Sequence, residues 1–526
     1  MVKDEQIEKA VSRILQRSER QDDLQKLLGT FVDVGVLPQL DNNNNQIFYG
    51  RRGTGKTHVL RVLGSRFAER PNSTVVYIDA RTLGSTAQFS DPEIAISRRC
   101  LSLFRDILGE VHNALLEHIV NQPSAKADLA LDALDQLVSE VTEPFKTMVE
   151  ESVSETSSEK ANDARSRVAS VSASKVPNID LSLKHEKGSA TERSATSTFR
   201  VENEDKMIFP SLHYQLSRVL ELAETRLFIL LDEWSSLPGD IQPFLAEFLK
   251  RGILPVRNAV LKIASLEHRS RFTLLDRDEP IGFELGADIS ITQDLDDYYV
   301  FDRNPEQITD AYANMLYLHL ASELPEGYLS TTHGVSNGTH LSSHLFTARE
   351  TFKELARASE GVVRDLINIF TSAFFTARRR GRSNIDRQAI TEAARLWFEQ
   401  DKSQYLDEQL QRVLSRVVSE VIGNRRARSF LLPRELEKHP VIQKLFDARV
   451  LHPLQRGYAD KDNPGVRYNI YTLDYGTYVD LIGTSKEPDL GLLETDRRDE
   501  ESALIVPFDD KRSIRRIILG ESVLSD

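Results

Sequence analysis

The sequence predicts an α/β fold: a parallel β-sheet covered by helices, continued by an all-helical segment and then by a small helix-and-strand unit. Three observations predict it. A short apolar strand runs through a glycine-rich loop into a helix over Gln46 to Ala68. Further apolar runs follow at Thr74 to Ala80 and Leu227 to Leu231, and beyond Asn304 the periodicity turns helical. Strands alternating with helices favour a parallel sheet, because a parallel connection needs a crossover long enough to hold a helix.

At 526 residues the chain exceeds what one hydrophobic core organises, so two or three domains are expected. Hydrophobic residues at 40% and charged residues at 28% exclude a fibre or a wholly disordered chain. The net charge of -13 argues against a protein coated in positive charge for non-specific nucleic-acid binding, though local basic patches remain open. Cys100 has no partner for an intramolecular disulfide. The start MVKDEQIEKA lacks the apolar run of a secretory leader, and no stretch has the apolar length of a membrane span. The expectation is a cytoplasmic protein with no membrane partner.

Taken in order, Asp4 to Leu28 carries apolar residues at helical spacing (Ile7, Val11, Ile14, Leu15) and reads as one amphipathic helix. After the polar run Asp41 to Asn45, Gln46-Ile47-Phe48-Tyr49 reads as a strand, and Lys56 to Ala68 as a helix. Thr74 to Ala80 is a second strand, making a parallel βαβ unit the economical arrangement. Asp91-Pro92 reads as an N-cap followed by proline, opening helical patterns that run with breaks towards Glu151.

From Ser152 to Arg200 the chain is rich in Ser, Thr, Ala and charge, which predicts a flexible insertion, since such a segment buries too little apolar area to offset its ordering entropy. A helix over Pro210 to Leu222 precedes the strand Leu227 to Leu231, which ends at Asp232-Glu233. The strand Ala259 to Ala264 leads into the polar run Ser265 to Arg271. Helices are expected near Pro305 to Ser322, Leu345 to Ser359, Val362 to Ala377 and Asp386 to Gln400. The order then becomes helix (Pro433 to Glu437), helix (Pro440 to Ala448), strand (Val450 to Tyr458), turn (Asp460 to Gly465) and strand (Val466 to Leu473), as in a winged helix. The tail from Lys486, with Arg512, Arg515 and Arg516, suggests no fold.

The chemistry concentrates at Gly50-Arg51-Arg52-Gly53-Thr54-Gly55-Lys56-Thr57, a complete P-loop. A triphosphate must be held by a backbone that approaches closely, and Gly50, Gly53 and Gly55 allow it while their neighbours aim N–H groups at the phosphates. Lys56 is expected to reach the β- and γ-phosphates of ATP and Thr57 to offer its hydroxyl to Mg²⁺, with His58 the next residue of the nucleotide contact. Asp232, closing an apolar strand, has the place of the second Mg²⁺-binding group, and Glu233 that of the base that orients water. An acidic pair after a strand is otherwise only a strand terminus; in a chain that also carries the loop, the catalytic reading is preferred. Ser265, Glu267 and His268 are candidates to touch the γ-phosphate or water, against a solvated strand end. Arg269 and Arg271 are candidates for an arginine finger serving a neighbouring subunit, against ordinary surface ion pairs.

These residues resemble the AAA+ ATPases of the origin-recognition, replication-initiator type, including bacterial relatives with that domain. The resemblance rests on Phe48 to Thr57, Val76-Tyr77-Ile78-Asp79, Leu230-Leu231-Asp232-Glu233-Trp234 and Ser359 to Leu366. In the last of these, Gly361-Val362-Val363-Arg364 is similar to the family's sensor-2 signature, which implies that Arg364 reaches back from a lid helix to the γ-phosphate. The resemblance implies a P-loop NTPase with an AAA+ core, an α-helical lid and a C-terminal winged-helix domain. The expected boundaries are an N-terminal helix over 1–30, the ATPase core over 31–300 with the insertion at about 152–200, the lid over 301–403, the winged helix over 404–485 and a tail over 486–526.

Basic clusters at Arg378-Arg379-Arg380-Gly381-Arg382, at Arg425-Arg426-Ala427-Arg428 and around Arg456, Lys461 and Arg467 are candidate phosphate contacts for DNA; the alternative is solvated helix ends and an intramolecular docking surface. Two functions compete. One is an ATP-hydrolysing switch that assembles with itself or with partners on DNA, in genome maintenance or defence against foreign DNA. The other is a nucleotide-gated interaction module that turns over little and controls an effector protein.

Overall fold

The computed structural model describes residues 1–15, 21, 23–84, 93–122, 124–142, 145–152, 197–204, 207–275, 279–292, 294–424, 427–459, 465–481 and 517–524, with the backbone alone at 142, 145–152 and 197–204. Helix α1 (Glu5–Arg13) starts where the Asp4 carboxylate accepts the amides of Gln6 and Ile7. The single helix expected to Leu28 is instead two. Asp23 accepts the Lys26 amide and caps a separate helix, α2 (Leu24–Gly29), so a local side-chain bond overrides the shared apolar spacing. A short α3 (Leu37–Leu40) precedes β1 (Gln46–Tyr49), and the loop then opens α4 (Lys56–Ala68).

Strand β2 (Ser73–Asp79) follows, then α5 (Ile96–Asn121) and α6 (Ala127–Thr142). The cap expected at Asp91-Pro92 lies outside the described residues. Helical structure stops short of Glu151: β3 (Phe145–Ser152) pairs antiparallel with β4 (Ser197–Glu204), register Met148↔Val201 and Val149↔Arg200. Both ends of the expected insertion thus carry β-branched and aromatic residues that favour a pleated pair over a helix. Its body, 153–196, lies outside the described residues.

The core continues with α7 (Phe209–Leu222), β5 (Arg226–Asp232), α8 (Gln242–Gly252), β6 (Ala259–Ser265), the small hairpin β7 (Thr273–Leu274) and β8 (Ile281–Gly282), then β9 (Ser290–Ile291) and α9 (Leu295–Tyr298). Five strands form a parallel sheet in the order β2-β5-β6-β1-β9. The expected β1–α4–β2 unit is parallel, but its strands are not neighbours. β6 is buried throughout and β5 at all but its first residue, so they take the centre, while β2 alternates buried and half-buried residues and takes an edge.

The sheet divides two cores by strand alternation. Phe228 and Leu230 face Leu60, Leu63 and Phe67 of α4, and Leu227, Ile229 and Leu231 face the side of α5 to α8. Lys262, fully buried in β6, donates to Asn42 Oδ1 at 3.0 Å and to Gln46, and burial pushes its pKa down to about 7.

Beyond the core come α10 (Pro305–Ser322), α11 (Tyr328–His333), α12 (Gly338–Leu345), α13 (Arg349–Ala358), α14 (Val363–Arg379) and α15 (Arg387–Trp397). α11 and α12 were not anticipated; the Asn337 side chain caps α12 by accepting the His340 amide.

The last unit holds α16 (Glu408–Val418), β10 (Ser429–Pro433), a 3₁₀ turn at Arg434–Lys438, α17 (Pro440–Asp447), β11 (Leu451–Ala459) and β12 (Arg467–Leu473). Its antiparallel sheet has the order β10-β12-β11. β10 was missed because its apolar run is short and ends in proline, which an edge strand tolerates. The helix expected at Pro433 to Glu437 is the 3₁₀ turn. The expected turn at Asp460 to Gly465 lies outside the described residues except for Gly465. The tail returns to this sheet, with the Leu431 amide donating to Ile517 O at 2.7 Å, and ends in α18 (Glu521–Leu524). Arg512, Arg515 and Arg516 lie outside the described residues.

Candidate nucleotide site

The P-loop needs glycine in two distinct ways. Gly53 and Gly55 have φ of +87° and +97°, which L side chains rarely adopt. Gly50 is needed for space, since a Cβ there would lie 2.7 Å from Thr54 Oγ1. Gly53 is also the lid's seat: its carbonyl accepts the Arg364 amide at 3.0 Å, and a Cβ on it would stand 2.8 Å from the Arg364 Cβ. Gly55 is the N-cap of α4, so the unpaired N–H groups of the helix sit at the loop.

Lys56 is buried, and its Nζ donates to the carbonyls of Gly50 at 2.9 Å and Arg51 at 3.0 Å. Burial pushes its pKa down, and the carboxylates of Glu233 and Asp232 pull it back up. The Thr54 hydroxyl also donates to the Arg51 carbonyl, at 2.9 Å, tying the loop together.

Asp232 closes β5 with its side chain fully buried. Its Oδ2 accepts from Thr57 Oγ1 at 2.7 Å and from the Tyr77 hydroxyl at 2.8 Å, while its Oδ1 accepts the Glu233 amide at 2.8 Å. Tyr77 was not among the expected site residues. β2 and β5 run parallel with Tyr77 beside Leu230, a pairing that no local pattern discloses. Glu233 stands in the left-handed region at φ +53°, a strained conformation for a non-glycine residue at the mouth of the site.

A cavity of ≈ 660 Å³ is lined by Gly53, Gly55, Lys56, Thr57, Glu233 and Arg364, together with Arg52 and His58. Arg52 is exposed there. His58 Nε2 bonds the Leu27 carbonyl at 2.6 Å, and its ring meets Phe31 edge-on, so it ties the loop helix to the N-terminal segment. His319 lines the same cavity from α10; burial, then His58 nearby, push its pKa down to about 4.

Arg51 does not face this cavity. Its amide donates to Asp296 Oδ2 at 3.1 Å, its guanidinium lies 3.1 Å from the same oxygen and donates to Glu360 O at 3.0 Å, and it bonds His452 Nδ1 in the C-terminal unit. A guanidinium only donates, so Nδ1 is the acceptor and the His452 proton sits on Nε2, which donates to Asp474 Oδ2 at 2.8 Å. Burial and the Arg51 charge push the His452 pKa down to about 3, leaving the ring neutral. Loop sequence alone cannot tell a phosphate arginine from one turned inward.

Ser265, Glu267, His268 and Arg269 each have a partner within the chain. Ser265 is buried and bonds Ser270. Glu267 pairs with Arg456 at 2.5 Å, and His268 packs edge-on against Phe446. Arg269 lines its own chain's cavity, with Nε donating to Asp447 at 2.5 Å. Arg271 is exposed, and its amide donates to Gln242 Oε1 at 2.6 Å.

Within the basic clusters Arg428 and Arg456 turn to carboxylates of other segments, whereas Arg379, Arg380 and Arg382 are exposed. Arg428 is buried between Asp302 and Glu360 (3.2 Å), and Arg456 also reaches Asp294 at 3.0 Å. Arg449, missed in the sequence, pairs with Asp365 and Asp401, and Lys402 joins Asp365 (2.9 Å) to Asp474. Arg378 pairs with Glu8 at 2.6 Å and Arg380 with Glu392; Arg379 donates to the Thr376 hydroxyl at 3.1 Å, and Arg382, more exposed, stands 3.7 Å from Asp386. Arg467 is exposed and donates to the Gly457 carbonyl at 3.2 Å; Arg425, Arg426 and Lys461 lie outside the described residues.

A family model described as ORC-CDC6-like matches residues 17–299. No curated protein matches the sequence. Among solved structures, the chain is similar to Cdc6p from Pyrobaculum aerophilum at 12% identity, over 91% of this chain and 97% of that one, with a TM-score of 0.31. The Aeropyrum pernix ORC2 protein, solved as ADPNP–ADP complexes, is 10% identical over 88% and 93% of the two chains, TM-score 0.33. The Aeropyrum pernix ORC1 protein in complex with DNA is 13% identical over 89% and 93%, TM-score 0.27.

Proposed function

Because the chain belongs to the ORC-CDC6-like family, we propose that it is a Mg²⁺-dependent AAA+ ATPase that uses ATP to control an assembly on or with DNA. The observation that carries the ATPase reading is the contact of Thr57 Oγ1 with Asp232 Oδ2 at 2.7 Å, where Thr57, the buried Lys56 and Glu233 line one cavity. Two groups suited to one hard cation meet there without further acidic ligands, as expected of a site whose remaining ligands are phosphate oxygens and water. Among the described residues no group of three or more His, Cys, Asp or Glu side chains is placed to hold a metal ion by itself.

In this reading Thr57 and Asp232 hold Mg²⁺, which neutralises charge on the phosphates. Lys56 exchanges the Gly50 and Arg51 carbonyls for the β- and γ-phosphates, and the backbone of Gly53, Thr54 and Gly55 presents N–H groups. Arg52 adds a cation at the mouth. Glu233 orients the attacking water and accepts its proton, and Arg364 brings the lid to the γ-phosphate. Glu233→Gln keeps the shape but removes the base. Steady-state hydrolysis should fall by about 100-fold or more, while ATP affinity stays within about 2-fold. A chain that turns over no ATP above background, with or without DNA, would sink the proposal.

The C-terminal unit reads as a winged helix, and DNA is its proposed partner through the exposed Arg467. Affinity for duplex DNA, followed by fluorescence anisotropy, should weaken steeply as salt rises, because phosphate contacts release counterions. Binding that is undetectable at low salt, or indifferent to salt, removes DNA from the proposal. The pairing of Arg428, Arg449 and Arg456 with core and lid carboxylates favours the second reading, a nucleotide-gated module that signals to an effector protein with little turnover.

A further inference from the structure

The nucleotide cavity has a wall that the P-loop chemistry leaves unused. Lys444 and Asp447 of α17, with Arg449 just beyond, face the same ≈ 660 Å³ as Lys56 and Glu233. That wall is fixed in place. Asp447 accepts from Arg269 at 2.5 Å, the Phe446 ring meets His268 at 4.7 Å between centroids, and the Arg51 guanidinium stands 5.9 Å from the Phe446 ring centre. Phe446 and Asp447 of α17 share a small cavity of ≈ 10 Å³ with Gly50, Arg51 and Arg52, which places the helix beside the first residues of the loop.

The cations of this unit are not equally available. Arg449 is held by Asp365 and Asp401, Arg428 by Asp302 and Glu360, and Arg456 by Glu267 and Asp294. Lys444 is exposed towards the cavity and makes no ion pair among the described residues. A compact ammonium on a flexible stem meets a phosphate as a point charge and needs no fixed geometry to do so.

We propose that the C-terminal unit completes the nucleotide site within one chain, with Lys444 contacting the phosphate end of a nucleoside triphosphate. The proposal rests on the nucleotide reading of the P-loop. A triphosphate gripped by Lys56 on one side and Lys444 on the other bridges the core and the C-terminal unit. Nucleotide binding and docking of that unit then strengthen each other by one and the same factor. A diphosphate lacks the outermost phosphoryl group and loses most of this contact.

The test measures, by calorimetry on the full chain, the affinity for a non-hydrolysable ATP analogue and for ADP. Lys444→Ala should weaken the triphosphate by about 10-fold and ADP by less than about 2-fold, with Lys444→Arg restoring most of the difference. Amides of α17 should gain hydrogen-exchange protection from the triphosphate in the parent chain and not in Lys444→Ala. Because Lys444 is exposed, its removal opens no cavity, and an unchanged melting temperature checks that the variant is folded. Equal weakening of both nucleotides, or no weakening, overturns the role of Lys444 while leaving the P-loop reading intact. A parent chain that binds neither nucleotide overturns both.

Discussion

Lys56→Ala should weaken ATP binding by about 100-fold or more, on the order of 3 kcal/mol, as read by calorimetry with a non-hydrolysable analogue. The side chain is the charged donor buried inside the loop, and it already bonds two loop carbonyls, those of Gly50 and Arg51. Its removal therefore has two consequences. The phosphates lose a charge-assisted partner in a water-poor site, and the loop loses the donor that closes it. Lys56→Met loses the same charge and donor but keeps the apolar stem that packs in the site, so it separates both effects from a simple loss of packing. If Lys56→Met binds ATP as the parent does, the loop is not a phosphate site.

Arg428→Met should destabilise the docking of the C-terminal unit by about 3–5 kcal/mol, the range seen when one partner of a buried ion pair is removed. Arg428 is 1% exposed and satisfies Asp302, just before α10, and Glu360, between α13 and α14. Without the guanidinium both carboxylates remain in a dry interface, where an unpaired charge costs far more than a lost hydrogen bond. Chemical denaturation should show an earlier transition, and proteolysis should release a fragment beginning near residue 404 before the core is cut. Pairing the change with Asp302→Asn should recover part of the loss, since the uncompensated charge is the larger penalty. A variant as stable as the parent would mean that this interface is held by apolar packing alone.

The interface also changes what the basic clusters mean. In the linear sequence, Arg428 and Arg456 look like a surface for phosphate contacts. In three dimensions they meet Asp302, Glu360, Glu267 and Asp294, residues that lie far away along the chain. A charge run reports how many charges are present but not which way they face, so the sequence could offer both an outward and an inward reading. Arg269 illustrates the same limit. Read locally it is available to a neighbouring subunit; folded, it lines its own cavity and is bound to Asp447.

Local signals were most reliable where the chemistry itself is local. Gly53 and Gly55 are glycine because the backbone there is left-handed, and Lys56 and Thr57 follow them as the first residues of α4, so that stretch of sequence carries its own geometry. β5 and β6 were legible because strands buried on both faces must be apolar nearly throughout. The weak points were short elements whose stability comes from partners elsewhere. β10 exists by pairing with β12, and β3 and β4 pair across the insertion. The break between α1 and α2 depended on the Asp23 carboxylate, which outweighed a helical pattern that otherwise ran on.

By itself the sequence disclosed the glycine-rich loop between strand and helix, the acidic pair at the end of β5 and the helix that carries Arg364, because each is encoded in neighbouring residues. Only the tertiary structure decided that Tyr77 shares Asp232 with Thr57, that Arg51 turns away from the cavity to His452, and that α17 forms a wall of the site. Those contacts join residues distant along the chain, and they form because burying a charge or a polar group obliges it to find a partner wherever the fold brings one near.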